Sequence, residues 1–247
     1  LWNVYSFFVT YANIDKFYPT NPTMVIEKTS ELDRWIISEL NTLIQQVDQC
    51  LNSYDPTNGG RKIQEFVDLL SNWYVRRSRR RFWKSENDND KLSAYFTLYT
   101  CLVNLSKIMA PYTPFLSEEL YQNLVVSTDN NAKVSVHLTD FPHCNDQLID
   151  QPLMRATRLA MRLCSMGRDA RSRAGKKVRL PLNSMVVKTS SADEEQYLND
   201  IETQVLEELN IKQLTFISEK DSFFQNAHKD AAGATSLITD NYQIVFD

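Results

Sequence analysis

Between residues 32 and 51, Leu32, Trp35, Ile36, Leu40, Leu43, Ile44, Val47 and Leu51 recur at intervals of mostly three and four. That spacing puts them on one stripe of an α-helix; a strand would bury every second residue instead. A stripe of this kind must be covered, so a chain that repeats it folds as helices packed on helices. The punctuation fits. "SELD" at 30–33 is a capping pattern, with Ser30 at the N-cap and the Asp33 carboxylate three residues on. "YDPT" at 54–57 stops that helix and starts the next, Asp55 serving as N-cap and Pro56 as first helical residue.

The second helix is expected to reach about Trp83, although Gly59 and Gly60 weaken its first turn. After the polar turn "KSENDNDK", an apolar-striped helix runs from Lys91 to Pro111, and Thr113–Pro114 opens a short one. A sixth helix is expected near 150–175, with a face of small residues: Ala156, Ala160, Cys164, Gly167, Ala170 and Ala174. From 178 the pattern changes to a strand ("LNSMVVKTS"), one acidic helix (193–210), a second strand ("IKQLTFIS") and a loop-rich end with a last strand ("YQIVF"). The expected architecture is mostly α: an up-and-down helical bundle over 1–176, then a small α/β appendage over 177–247.

The opening run "LWNVYSFFVTYANI" lacks the basic leader and small-residue cleavage site of a signal peptide, and is too short and polar to span a bilayer. It reads as a core-facing helix carried over from a preceding domain, the chain being a piece of a longer polypeptide. The four cysteines (Cys50, Cys101, Cys144, Cys164) have no CxxC spacing, and the three histidines form no cluster with carboxylates. Neither a zinc site nor a disulfide framework is expected; reduced thiols suit a cytoplasmic protein.

Charge is segregated. The net charge is −4, yet residues 76–84 carry six basic side chains and no acid, and residues 155–179 carry nine against Asp169 alone. A local field of this kind is what a polyanion meets. On a regular helix Ile63, Val67, Leu70, Tyr74 and Ser78 share the core side, while Arg76, Arg79, Arg80 and Trp83 project nearly opposite, with Lys84 following. Arg77 and Arg81 fall toward the core and need carboxylate or carbonyl partners, for which Asp33, Glu118 and Glu119 are candidates. Solvated faces normally mix signs, whereas three like-charged arginines at helical spacing repel. Guanidinium groups fit phosphate oxygens in pairs of hydrogen bonds, and a neighbouring tryptophan can stack on an unpaired base or pack against another domain. Arg155, Arg158, Arg162, Arg173 and Lys176 form a second basic stripe. Composition alone leaves nucleic-acid binding level with a helical protein–protein or interdomain adaptor; a stand-alone enzyme is the third reading.

Five segments, "LDRWIISELNTLI", "FVDLLSNWYVRRSRRRFW", "LYTCLVNLSKIMAPYTPFLSEELYQNL", "SVHLTDFP" and "KKVRLPL", in this order and spacing, resemble the C-terminal part of the isoleucyl-tRNA synthetases, class I aminoacyl-tRNA synthetases of the branched-chain subgroup. The likeness runs from the opening "NVYSFFVTYANID" to about residue 217. It implies a helical anticodon-binding domain with an α/β junction and tRNA as partner, in a monomeric parent ligase of protein biosynthesis. The HIGH-type and KMSKS-type motifs of the family's adenylate chemistry do not occur here, and the editing domain is missing. The fragment is therefore expected to be catalytically inert and without a cofactor, ATP and Mg belonging to the parent enzyme. Gly59 and Gly60 stand where family members tend to have better helix formers.

Overall fold

A computed structural model describes residues 1–19, 30–83, 89–188, 192–217, 235–238 and 243–246. By packing, the chain divides into two compact units, Leu1–Asp150 and Gln151–Asp247. The boundary thus falls before the sixth helix and not at 176/177.

The first unit is helical. Helix α1 (Trp2–Asp15) buries Val4, Tyr5, Phe8 and Ala12. Helix α2 (Glu31–Asn52) starts with the expected reciprocal capping box, Asp33 N donating to Ser30 Oγ and Ser30 N to Asp33 Oδ2, both at 3.2 Å. Its stripe from Trp35 to Val47 is buried. It ends with Tyr54 in the left-handed region (φ 57°), where Tyr54 N donates to Leu51 O and Asp55 N to Cys50 O. This pair of bonds closes a helix in the Schellman manner, which ordinarily uses glycine at that position. Asp55 then caps α3 (Pro56–Leu69) by accepting from Asn58 N.

A π-helical segment, Leu70–Val75, joins α3 directly to α4 (Arg76–Trp83), so one unbroken helix runs from Pro56 to Trp83. Each π turn holds one residue more than an α turn, and the buried face beyond it is rotated by about 100°. Phe82, off the core side of a regular projection, is buried for this reason: its ring meets Phe7 at 5.1 Å and Tyr95 at 4.8 Å, edge to face. Helix α5 (Asn89–Met109) is buried along most of its length, and α6 (Pro114–Tyr121) runs on into a second π segment, Gln122–Val126.

Gly59 is explained by a neighbour. A Cβ there would lie 2.1 Å from Tyr112 Oη and 3.3 Å from Cys50 Cβ, whereas one at Gly60 would sit 3.7 Å from the same ring. Tyr112, in the α5–α6 turn, closes onto the α2–α3 corner only because Gly59 lacks a side chain. Gly60→Ala is accordingly expected to raise stability by up to about 1 kcal/mol. Gly59→Ala should lose about 1–3 kcal/mol by overpacking. Urea unfolding of the two variants gives the opposite signs directly.

The second unit holds α7 (Gln151–Arg173), β1 (Leu182–Lys188), α8 (Ala192–Asp200), α9 (Glu202–Leu209), β2 (Ile211–Ile217), β3 (Thr235–Ile238) and β4 (Gln243–Phe246). The sheet order is β2-β1-β4-β3; β1 and β2 are parallel (Leu182 opposite Ile211) and the other pairs antiparallel. Three expectations are corrected. The acidic stretch forms two helices, broken at Ile201, and the end supplies a second strand, β3. The small face of α7 is buried within this unit: a Cβ at Gly167 would lie 2.6 Å from Leu209 Cδ1 of α9. Small residues there serve close approach to the α/β layer, which is why α7 segregates with the strands. Ala174 is exposed, beyond the helix end.

Candidate nucleic-acid interface

Helix α4 presents Arg76, Arg79, Arg80 and Trp83 to solvent, Trp83 at 57% exposure. Arg79 and Arg80 form no ion pair among the described residues. Lys84, expected to extend this face, lies outside the described residues. Beneath the face, Arg76 and Arg77 place their guanidinium carbons 6.0 and 5.5 Å from the centroid of buried Trp73. Cations over an indole face are held by its quadrupole.

Arg81 is held differently. Its two terminal nitrogens donate to the two carboxylate oxygens of Asp33, each at 2.7 Å, and Nη2 also donates to Asp90 O at 2.8 Å. Asp90 Oδ1 stands 2.8 Å from Nε, by distance an ion pair but not aligned as a hydrogen bond. Asp33 is fully buried and also accepts from Tyr74 Oη (2.7 Å) and Ser93 Oγ (2.9 Å). Burial pushes the Asp33 carboxyl up, but the hydrogen bond and charge of Arg81, with Tyr74 and Ser93, outweigh it and hold the group below the usual aspartate value. Burial with the Asp33 charge pushes the Tyr74 phenol well above its ordinary value. One carboxylate thus ties the start of α2 to α4 and α5. Of the other two candidate partners, Glu118 accepts from Gln122, Ser135 Oγ and Val136 N, and Glu119 from Asn123.

In the second unit Arg155, Arg158 and Arg162 are exposed on one face of α7. Arg173 is exposed but paired with Asp169 at 2.8 Å. Lys176 leaves the expected stripe, because α7 stops at Arg173 and Gly175 turns the chain at φ 66°. Lys176 N then donates to Arg171 O and Gly175 N to Ser172 O, a glycine-based Schellman close.

Sequence reasoning missed Arg171. It is 1% exposed and donates to the carbonyls of Leu209 (3.2 Å), Lys177 (2.6 Å) and Leu180. Burial lowers its pKa with no carboxylate to offset it. With Arg168, Lys176 and Lys177 it lines a basic cavity of about 290 Å³; of these, Arg168 is paired with Glu208 at 2.6 Å. Nothing in the one-letter pattern separates Arg171 from the other arginines around it. A larger cavity, about 410 Å³, lies in the first unit between α2, α5 and the 143–150 loop. Its Asn41 latches that loop by accepting from Asn145 N at 2.8 Å. Among the described residues no group of His, Cys, Asp or Glu is set to hold a metal, and no helix is long and apolar enough to cross a membrane.

A family model described as "Anticodon-binding domain of tRNA ligase" matches residues 33–186, which takes in both basic stretches. The chain belongs to this anticodon-binding domain family. Among relatives, an isoleucine–tRNA ligase of Dehalococcoides mccartyi is 60% identical over 227 residues, covering 90% of this chain and 22% of the relative. That of Thermus thermophilus is 46% identical over 215 residues (87% and 20%), and that of Bacteroides thetaiotaomicron 42% over 218 residues (88% and 19%). The anticodon-binding domain chain therefore spans about a fifth of the length of the ligases it matches. Its matched span opens at Asp33, the carboxylate that seats Arg81, and ends within β1.

Proposed function

We propose that the chain docks the anticodon stem–loop of an isoleucine tRNA and so positions the acceptor end for chemistry elsewhere in a longer ligase. The observation that carries this reading is the exposed guanidinium face of Arg76, Arg79 and Arg80, of which Arg79 and Arg80 form no ion pair among the described residues, raised on a helix clamped from below by Asp33. Phosphate contacts from such a face position the RNA, and base contacts specify it. Arg155, Arg158 and Arg162 add a second phosphate-binding face, with Arg173 and Lys176 at its margin. Trp83 is available to stack on a base or to pack against the rest of the ligase. Within this reading the segment binds and orients RNA, while ATP, Mg and the bond-forming steps belong to the parent enzyme.

A salt titration tests it. Binding of an isoleucine anticodon stem–loop should weaken linearly in log–log form between about 50 and 200 mM salt, with a slope of roughly −0.7 to −0.9 for each phosphate contacted. Arg79→Ala/Arg80→Ala should flatten that slope by about 1.5 and weaken binding while leaving the preference for the cognate anticodon intact. Absence of binding at about 50 mM salt would falsify the reading.

A further inference from the structure

Arg171 is a buried cation whose charge nothing cancels. Its partners, the carbonyls of Leu209, Lys177 and Leu180, are neutral, and among the described residues no carboxylate pairs with it. Its Nε–H is buried as well and has no acceptor. A charge removed from water without an opposite charge beside it is costly, so the site favours an anion that can come near.

The adjoining cavity, about 290 Å³, can receive one. Glu208 neutralises Arg168, which leaves Arg171, Lys176 and Lys177 as three cations, with no acid among the residues that line the space. Lys177 is exposed and forms no ion pair among the described residues, and the Ser172 hydroxyl forms no hydrogen bond among them. The space at Gly175 is open, since a Cβ there would meet nothing within 4 Å. The C-terminus of a helix ordinarily repels an anion. Here the carbonyls of Ala170, Arg171 and Ser172 are occupied, accepting from the N–H groups of Ala174, Lys176 and Gly175.

We infer that the cavity at the end of α7 binds a phosphate dianion, with Lys177 and Ser172 at its oxygens and Arg171 as the fixed charge behind them. Three cations without an acid attract two negative charges more strongly than one. The site therefore selects inorganic phosphate or a phosphomonoester over the singly charged diester of an RNA backbone. It is distinct from the exposed arginine faces and does not rest on the docking reading.

The test follows the backbone amides of the ¹⁵N-labelled 247-residue chain by NMR. The probes are inorganic phosphate, methyl phosphate and dimethyl phosphate at about pH 8, where a monoester with a second pKa near 6 is a dianion. Ionic strength is matched with chloride. Phosphate should shift the amides from Ser172 to Val178 in a saturable way, and dimethyl phosphate should bind roughly tenfold more weakly. Methyl phosphate separates the two sources: equal binding supports a site for organic phosphates, and exclusion supports one for the free ion. Lys177→Glu, an exposed substitution, should weaken phosphate by about tenfold or more and leave the amide spectrum of the rest of the chain in place. No saturable response to phosphate, equal binding of the diester, or an unchanged affinity in Lys177→Glu would overturn the inference. Each of these leaves stem–loop binding through Arg79 and Arg80 to stand or fall on its own titration.

Discussion

Asp33→Ala should unfold the first unit more readily by about 3–5 kcal/mol, because it strands the Arg81 guanidinium in a site with no other fully aligned charge partner. For a unit of this size that is a fall in melting temperature on the order of 10 °C. The readout is selective. All four tryptophans, Trp2, Trp35, Trp73 and Trp83, lie in the first unit, so their fluorescence follows its unfolding alone. The same carboxylate makes stability depend on pH. Its folded pKa is lowered from 3.8, so its contribution is complete above that value and drains away as pH falls below it. The stability gap between the parent chain and Asp33→Asn should therefore be widest near neutrality and close as the pH is taken toward about 3.

Arg171→Met acts on the other unit. It removes the donor shared by the carbonyls of Lys177, Leu180 and Leu209, the contact that folds the chain end of α7 back onto α9 and the approach to β1. Buried acceptors left unpaired cost about 1–3 kcal/mol each, and water can reach some of these three, so a net loss of roughly 2–4 kcal/mol is expected. Far-UV circular dichroism should show an early transition while tryptophan fluorescence keeps its midpoint. Asp33→Ala instead moves both signals early, because the first unit holds the tryptophans and most of the helix. Arg171→Lys should recover only part of the loss, since an ammonium cannot span three divergent carbonyls as a planar guanidinium does.

Those two residues mark what could be read from the chain and what could not. The helix ends were legible because their determinants are local: Ser30 with Asp33, Asp55 with Pro56, Thr113 before Pro114. The outward set Arg76, Arg79, Arg80 and Trp83 was legible because charge and period agree over a few turns. Choosing between Arg77 and Arg81 was not, because it depends on a carboxylate 48 residues away in sequence. Phe82 escaped the projection because a π segment changes the phase, and that segment answers to Phe7 and Tyr95 on other helices. The small face of α7 was visible, but small residues say only that something comes close. That the neighbour is Leu209 and its layer is tertiary information. Tyr54 carried a faint local sign, a non-glycine residue just before Asp-Pro at a helix stop.

Considered as chain length, the π segment between Leu70 and Val75 is a stored residue. An α-helix that takes up an insertion within its span can keep its ends in place by widening one turn, leaving both flanking ladders whole. Here the extra residue lets Phe82 reach the aromatic cluster while the Arg79–Arg80 pair still faces out. Deleting a residue from this turn would restore a regular ladder at the expense of that registration, and an insertion elsewhere in Pro56–Trp83 would have no second turn already widened to absorb it. Insertions and deletions in this helix are thus constrained far more tightly than substitutions on its exposed face, and variation in length belongs outside Pro56–Trp83.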